Sequence, residues 1–175
     1  LENGMIKTIG KTGTVIDQYL ISGLDNGGLN QTWGMDDAPG KDSIRVLKSK
    51  VEFEGDVLTN DKPFDIVYEI HNSEDGLSIG INPHLYNAQD ICLFNVGSGG
   101  EHKLCKGSHE IRFHIPGGIL MEGKYRVDNL YYSHGNGYFL HKNSVVFDVS
   151  TTDKDFLNYQ GLFFPTGIKC SISMR

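Results

Sequence analysis

Two short runs of this chain carry side chains that could do chemistry together. Residues 82–87 read NPHLYN and residues 128–138 read DNLYYSHGNGY, mixing rings with amides, imidazoles and a carboxylate. Such a mixture suits a sugar: its C–H faces stack on Tyr, Trp or His, and its hydroxyls pair with Asn, Asp, Glu and Arg. Tyr68 and Tyr125 fall on the apolar faces of their segments and read as core. Tyr86, Tyr132 and Tyr138 read equally well as core or as surface rings.

Other chemistries fit the spacing poorly. The run from Gly4 to Thr12 resembles a phosphate-binding loop, but five residues rather than four separate its glycines, and neither a preceding strand nor a following helix is legible. A turn leading into a strand is the better reading. His102, Cys105, His109 and His114 lie close enough in sequence for a zinc test. An offset of five puts His109 and His114 on opposite faces of one strand, so no metal and no cofactor is expected. No nucleophile sits in a strand-to-helix elbow. Glu69, Glu74, Asp75, Glu122 and Asp128 could supply carboxylate pairs for glycoside cleavage, as any acidic domain could.

Strands must position these residues. Phe64, Ile66, Tyr68 and Ile70 alternate with Asp65, Val67, Glu69 and His71, which predicts a strand with one apolar face. The same period marks Ile111, Phe113 and Ile115, and again Val145, Phe147 and Val149. Further strands are expected at 15–22, 44–53, 77–86, 91–96, 124–132 and 168–174, each bounded by Gly, Asn, Asp or Pro. A single helical turn is expected at 152–159, and 25–41 reads as a long connection. With 22 glycines and 12 asparagines in 175 residues, turns are favoured over helices. The predicted fold is all-β, an antiparallel β-sandwich of immunoglobulin-like or jelly-roll type. Residues 1–32 form an arm and linker with room for one strand, and residues 33–175 form the sandwich.

Sixteen basic against 22 acidic residues give a net charge of −6, which disfavours a partner bound through phosphates, so no nucleic acid is expected. No apolar run is long enough to span a bilayer. Cys92, Cys105 and Cys170 form an odd set without CxxC spacing and read as reduced, buried thiols. The chain begins at Leu1, and Leu1-Glu2-Asn3-Gly4 reads either as native or as an addition; a piece of a longer protein is expected.

From Trp33 the run WGMDDAPGKDSIRVLKSKVEF resembles the C-terminal domains of the Wzt family, ATPases of ABC transporters that export O antigen and related bacterial polysaccharides. Residues 56–68 (DVLTNDKPFDIVY), 80–94, 115–125 (IPGGILMEGKY), 161–165 (GLFFP) and 168–172 continue the resemblance in order and spacing. Cys170 stands where the family would carry Trp. The resemblance implies a non-catalytic domain that recognises a lipid-linked glycan, at its modified non-reducing end, on the cytoplasmic face of the inner membrane. It also implies a homodimer that exchanges its last strand, and a transporter membrane subunit reached through an ATPase domain outside this chain. Ile168, Cys170, Ile172 and Met174 alternate with Lys169, Ser171 and Ser173, which suits exchange and ordinary pairing within the chain alike.

The family supplies no strict binding motif, so the site residues are read from strand faces: Glu69 and His71, Asn82, His84 and Tyr86, and Asp128, Tyr132 and His134. They would line one sheet if their strands were neighbours. A jelly-roll glycoside hydrolase or lyase, and a module whose main task is dimerisation, are the competing readings.

Overall fold

The structure, a computed structural model, describes residues 9, 10, 12, 28–151 and 169–174. The strand expected at 15–22, the helical turn at 152–159, the GLFFP segment and most of the run 4–12 lie outside the described residues.

Eleven strands are present among the described residues: β1 (Asn30–Thr32), β2 (Gly40–Lys41), β3 (Ile44–Phe53), β4 (Phe64–Asn72), β5 (Leu77–Asn87), β6 (Cys92–Asn95), β7 (His102–Leu104), β8 (Gly107–Ile115), β9 (Gly123–Ser133), β10 (Asn136–Val149) and β11 (Lys169–Met174). One sheet runs β1-β3-β4-β8-β11, with β2 also on β3; the other runs β10-β9-β5-β6, with β7 also on β5. Every strand pairing is antiparallel. The protein is an all-β sandwich, as the alternation in its sequence predicts.

The inward residues of the two sheets make one core. Ile66, Tyr68, Ile70, Ile111, Phe113 and Ile115 meet Ile79, Ile81, Leu85, Val127, Tyr131, Val145 and Phe147, and burying each aliphatic side chain is worth ~2 kcal/mol. In β3 the period-two pattern breaks once: Val46 pairs with Ile70 and Lys48 with Glu69, leaving Leu47 as the extra residue of a bulge. Ile44 and Val46 therefore point inward ahead of the bulge, and Ser49 and Val51 after it. Tyr125 is buried and donates its hydroxyl to the Met121 carbonyl at 2.8 Å. Burial pushes its phenol up to about 12, and the Gly123-Lys124-Tyr125 step makes a tyrosine corner.

β1 joins the first sheet ahead of residue 33, pairing with Lys48–Lys50 of β3. Three expectations need correction. The region 25–41 contains β1 and β2; both are too short to show a period. The strand seen at 145–149 starts at Asn136, its first half hidden by the irregular residues 142–144. Cys92 and Cys105 are exposed free thiols rather than buried ones, since Cys92 points outward from β6 and Cys105 lies in the β7–β8 loop.

Candidate functional site

The outer face of the second sheet brings the two chemistry-bearing runs together. Along β5 the outward residues are Gly80, Asn82, His84 and Tyr86, and opposite them on β9 stand Tyr132, Leu130, Asp128 and Arg126. Asn95 of β6 lies opposite His84, and Cys92 opposite Tyr86. Asn82, His84, Tyr86, Asp128 and Tyr132 thus share one surface. His134 sits at the end of the same sheet, in the β9–β10 turn.

Glu69 and His71 do not join them. The connection after β4 crosses from one sheet to the other instead of closing a hairpin, so β4 lies between β3 and β8. Glu69 and His71 consequently point outward on the opposite side of the sandwich. His71 lines a separate cleft of about 410 Å3 with Met35, Asp36, Asp42, Ser43, Arg45 and Ser73. Around Glu69 the face is committed to ion pairs: Arg112 contacts Glu52 at 2.6 Å, Asp65 at 2.7 Å and Glu110 at 3.2 Å. His114 adds a contact to Asp65 at 2.8 Å.

On the β5–β9 face, Tyr132 lays its ring across the backbone of Gly80. A Cβ at Gly80 would stand 2.0 Å from Tyr132 Cζ and 2.4 Å from its hydroxyl, so only glycine admits this pose. The ring remains half-buried, a flat apolar platform resting on the sheet. Tyr86 provides a second ring, with the Arg126 guanidinium 4.0 Å from its centroid. Arg126 also contacts Asp128 at 2.5 Å and pairs with Asp90. Burial opposes the guanidinium charge, and these carboxylates outweigh it and raise its affinity for the proton. Burial likewise raises the Tyr86 phenol and the Cys92 thiol. Asn82 Oδ1 is buried without a partner among the described residues.

Two of the predicted residues are occupied by the fold itself. Asp128 accepts a hydrogen bond from the Asn143 amide at 2.9 Å, inside the bulge where residues 142–144 of β10 face Asp128 alone. Gln31 donates to the Asn143 and Ser144 carbonyls of that bulge at 3.0 and 2.9 Å. Ser144 Oγ donates to the Val127 carbonyl at 2.9 Å and meets the Tyr68 hydroxyl at 2.9 Å. His134 has φ of 52° and Gly135 of 73°, the two left-handed residues of a tight hairpin turn between the paired Ser133 and Asn136. Glu101 clamps that turn, accepting from the Gly135 amide at 2.8 Å and from Ser78 Oγ at 2.9 Å.

Arg126 and Gly80 belong to this surface and were not among the residues read from sequence. Arg126 was legible as the outward residue two places before Asp128. Gly80 was not, because the letter gives no hint of the ring above it. The carboxylates considered for catalysis are dispersed: Glu69 and Asp128 face opposite sides of the sandwich, and Asp75 receives the Lys106 amide at 2.7 Å in the loop region between the sheets. The tested zinc ligands are separated as well: His109 is buried against the Cys105 carbonyl at 2.8 Å, while His114 points outward. Among the described residues no three His, Cys, Asp or Glu side chains are placed to hold a metal ion, and no helix is long and apolar enough to cross a membrane.

No family model and no curated protein matches the sequence. The sandwich does match a solved structure, the crystal structure of the C-terminal domain of Wzt, with a TM-score of 0.57 over 65% of this chain and 77% of that one, at 12% identity. The chain is similar in fold to a Wzt C-terminal domain. At that identity the likeness speaks for architecture. The CARDB domain of a Pyrococcus furiosus protein, solved with di-metal ions, aligns with a TM-score of 0.38 and 17% identity over 70% of this chain and 93% of that one.

Proposed function

We propose that this chain is a non-catalytic glycan-recognition domain of a polysaccharide-exporting ABC transporter, and that it binds sugar on the outer face of the β5–β9 sheet. The observation that carries the reading is the Tyr132 ring held flat on Gly80, beside Tyr86, Asn82 and His84. A ring fixed in this way offers a stacking surface at little entropic cost, and the amide and imidazole beside it can pair with hydroxyls. The Wzt-like sandwich supports the same assignment. Arg126 is already neutralised by Asp90 and Asp128, which favours a neutral sugar over an acidic one.

In this reading the domain acts at the cytoplasmic face of the inner membrane, recognising the modified end of an O-antigen-type glycan, and an ATPase domain outside the chain couples it to the membrane subunit. β11 completes the first sheet by pairing along β8, from Lys169↔His114 to Met174↔His109. The same edge of β8 can receive the strand from a second copy, which supports a homodimer that exchanges it.

The test is calorimetric and spectroscopic. Glycan released by mild acid from the lipopolysaccharide of the source strain is titrated into the labelled domain. Amide shifts confined to β5, β6 and β9 are expected, with loss of binding in Tyr132→Ala. The absence of heat and of shifts at millimolar glycan ends would overturn the assignment. Light scattering tests the dimer: a monomeric intact chain refutes the exchange.

A further inference from the structure

The centre of the sandwich holds polar side chains that the packing does not explain. On the inner face of the second sheet, Asn129 of β9 and His141 of β10 are direct cross-strand partners, and Tyr131 is the next inward residue of β9. Asn129 and Tyr131 are fully buried and His141 nearly so. The Asn129 Nδ2 and Oδ1 atoms, the Tyr131 hydroxyl and His141 Nδ1 make no close hydrogen bond among the described residues. On the facing sheet Ser49 Oγ, equally buried, is in the same condition.

Tyr131 connects these residues: its phenol reaches the Asn129 side chain, and Tyr68, the cross-strand partner of Ser49, lies close to it on the facing sheet. Tyr68 is itself satisfied by Ser144, so it leaves the other hydroxyls and amides unserved. Rings flank the cluster: Trp33 stands edge-on to His141 at 5.2 Å, and Phe139 stacks on Tyr131 at 5.4 Å and on His141 at 6.1 Å. Rings cannot replace the hydrogen bonds these groups gave up on leaving water. In folded proteins buried groups of this kind are nearly always paired, with protein or with ordered water.

The chemistry of the cluster selects its ligand. Asn129 offers donors and an acceptor, the hydroxyls of Tyr131 and Ser49 do either, and none of these side chains is a carboxylate, an ammonium or a guanidinium. A small neutral molecule that both donates and accepts fits. We propose that the sandwich centre is a hydration site in which about two ordered waters bridge Asn129, Tyr131 and His141 of one sheet to Ser49 of the other. The bridge would hold the two sheets in register at the point where apolar packing gives way to polar side chains, directly behind Asp128, Leu130 and Tyr132 of the outer face.

Oxygen-17 relaxation dispersion of the full chain tests this, because it reads water oxygens and is blind to hydroxyl proton exchange. The expected result is a dispersion amplitude that falls by about two long-lived waters in Asn129→Leu, whose side chain fills the same space without polar atoms. No dispersion from internal water in the wild type, or an amplitude unchanged in a folded Asn129→Leu, overturns the proposal. Should Asn129→Leu not fold, a high-resolution crystal structure of the wild type decides: density for water within hydrogen-bond reach of Asn129 supports the site, and a dry Asn129 refutes it.

Discussion

Gly80→Ala separates the binding role of Tyr132 from any role in stability. The new methyl would lie 2.0 Å from Tyr132 Cζ, whereas ordinary contact begins at 3.4 Å, so the ring tip must retreat by about 1.4 Å. The Tyr132 Cζ stands ~3.9 Å from the Cα–Cβ axis, so a turn of ~20° about χ1 supplies that displacement, at a cost of ~0.2–0.7 kcal/mol. Replacing glycine in a strand returns ~0.5–1 kcal/mol by restricting the unfolded chain. The two terms nearly cancel, and the unfolding free energy should stay within ~1 kcal/mol of wild type. The platform, however, is tilted off the sheet. Stacking of this kind is worth ~0.5–1.5 kcal/mol, so glycan affinity should fall about 2- to 10-fold. Urea denaturation and calorimetric titration read the two quantities on the same preparation. The reasoning fails if Gly80→Ala loses more than ~2 kcal/mol of stability, since the ring would then be locked by packing. It fails equally if affinity is unchanged, or if Gly80→Ala still weakens binding once Tyr132 is already alanine.

Three further outcomes are expected. Asp128→Ala strands the half-buried Asn143 amide and removes one carboxylate from Arg126, so urea denaturation should show a loss of ~1–3 kcal/mol; a loss below ~0.5 kcal/mol would show that the bulge does not depend on it. Burial lowers His141 from 6.5 to about 4, so between those values the unfolded chain binds the proton and the folded one does not; stability should fall by about 3 kcal/mol as pH drops from 6.5 to 4. His141→Phe should flatten that part of the melting-temperature profile, and an equal slope in the variant would refute the assignment. Hydrogen bonds from the Gly135 and His134 amides and from Ser78 hold the Glu101 carboxyl below 4.5, so its contribution is present above that pH and is lost as pH falls further. Amide protection factors at the β9–β10 turn, which remove the intrinsic pH dependence of exchange, should therefore fall in acid in the wild type and be low at neutral pH already in Glu101→Ala; equal protection in both would disprove the clamp.

Much of the sheet was legible in the letters. Alternation marked β4, β8 and the second half of β10 because one face of each strand must be apolar, and it put Tyr68 and Tyr125 in the core for the same reason. The strands that escaped notice were those where alternation has no room or is broken: β1, β2 and β7 are too short, and the 142–144 bulge interrupts β10. At the site, period two placed Asn82, His84 and Tyr86 on one face of β5, and Asp128 and Tyr132 on one face of β9.

Which faces adjoin is a different matter. Alternation is a property of one strand, whereas neighbours are chosen by pairings between residues far apart in the chain. The sequence alone determined an all-β, acidic, glycine-rich domain with sugar-suited rings and amides on outward positions of β5 and β9. The tertiary structure decided that β5 and β9 are partners while β4 belongs to the other sheet, which unites five of the predicted residues and sends Glu69 and His71 to the far side. It also built Asp128 into a bulge and His134 into a turn, and set the Tyr132 ring on Gly80, because backbone hydrogen bonds and close approaches of this kind exist only once distant strands have met.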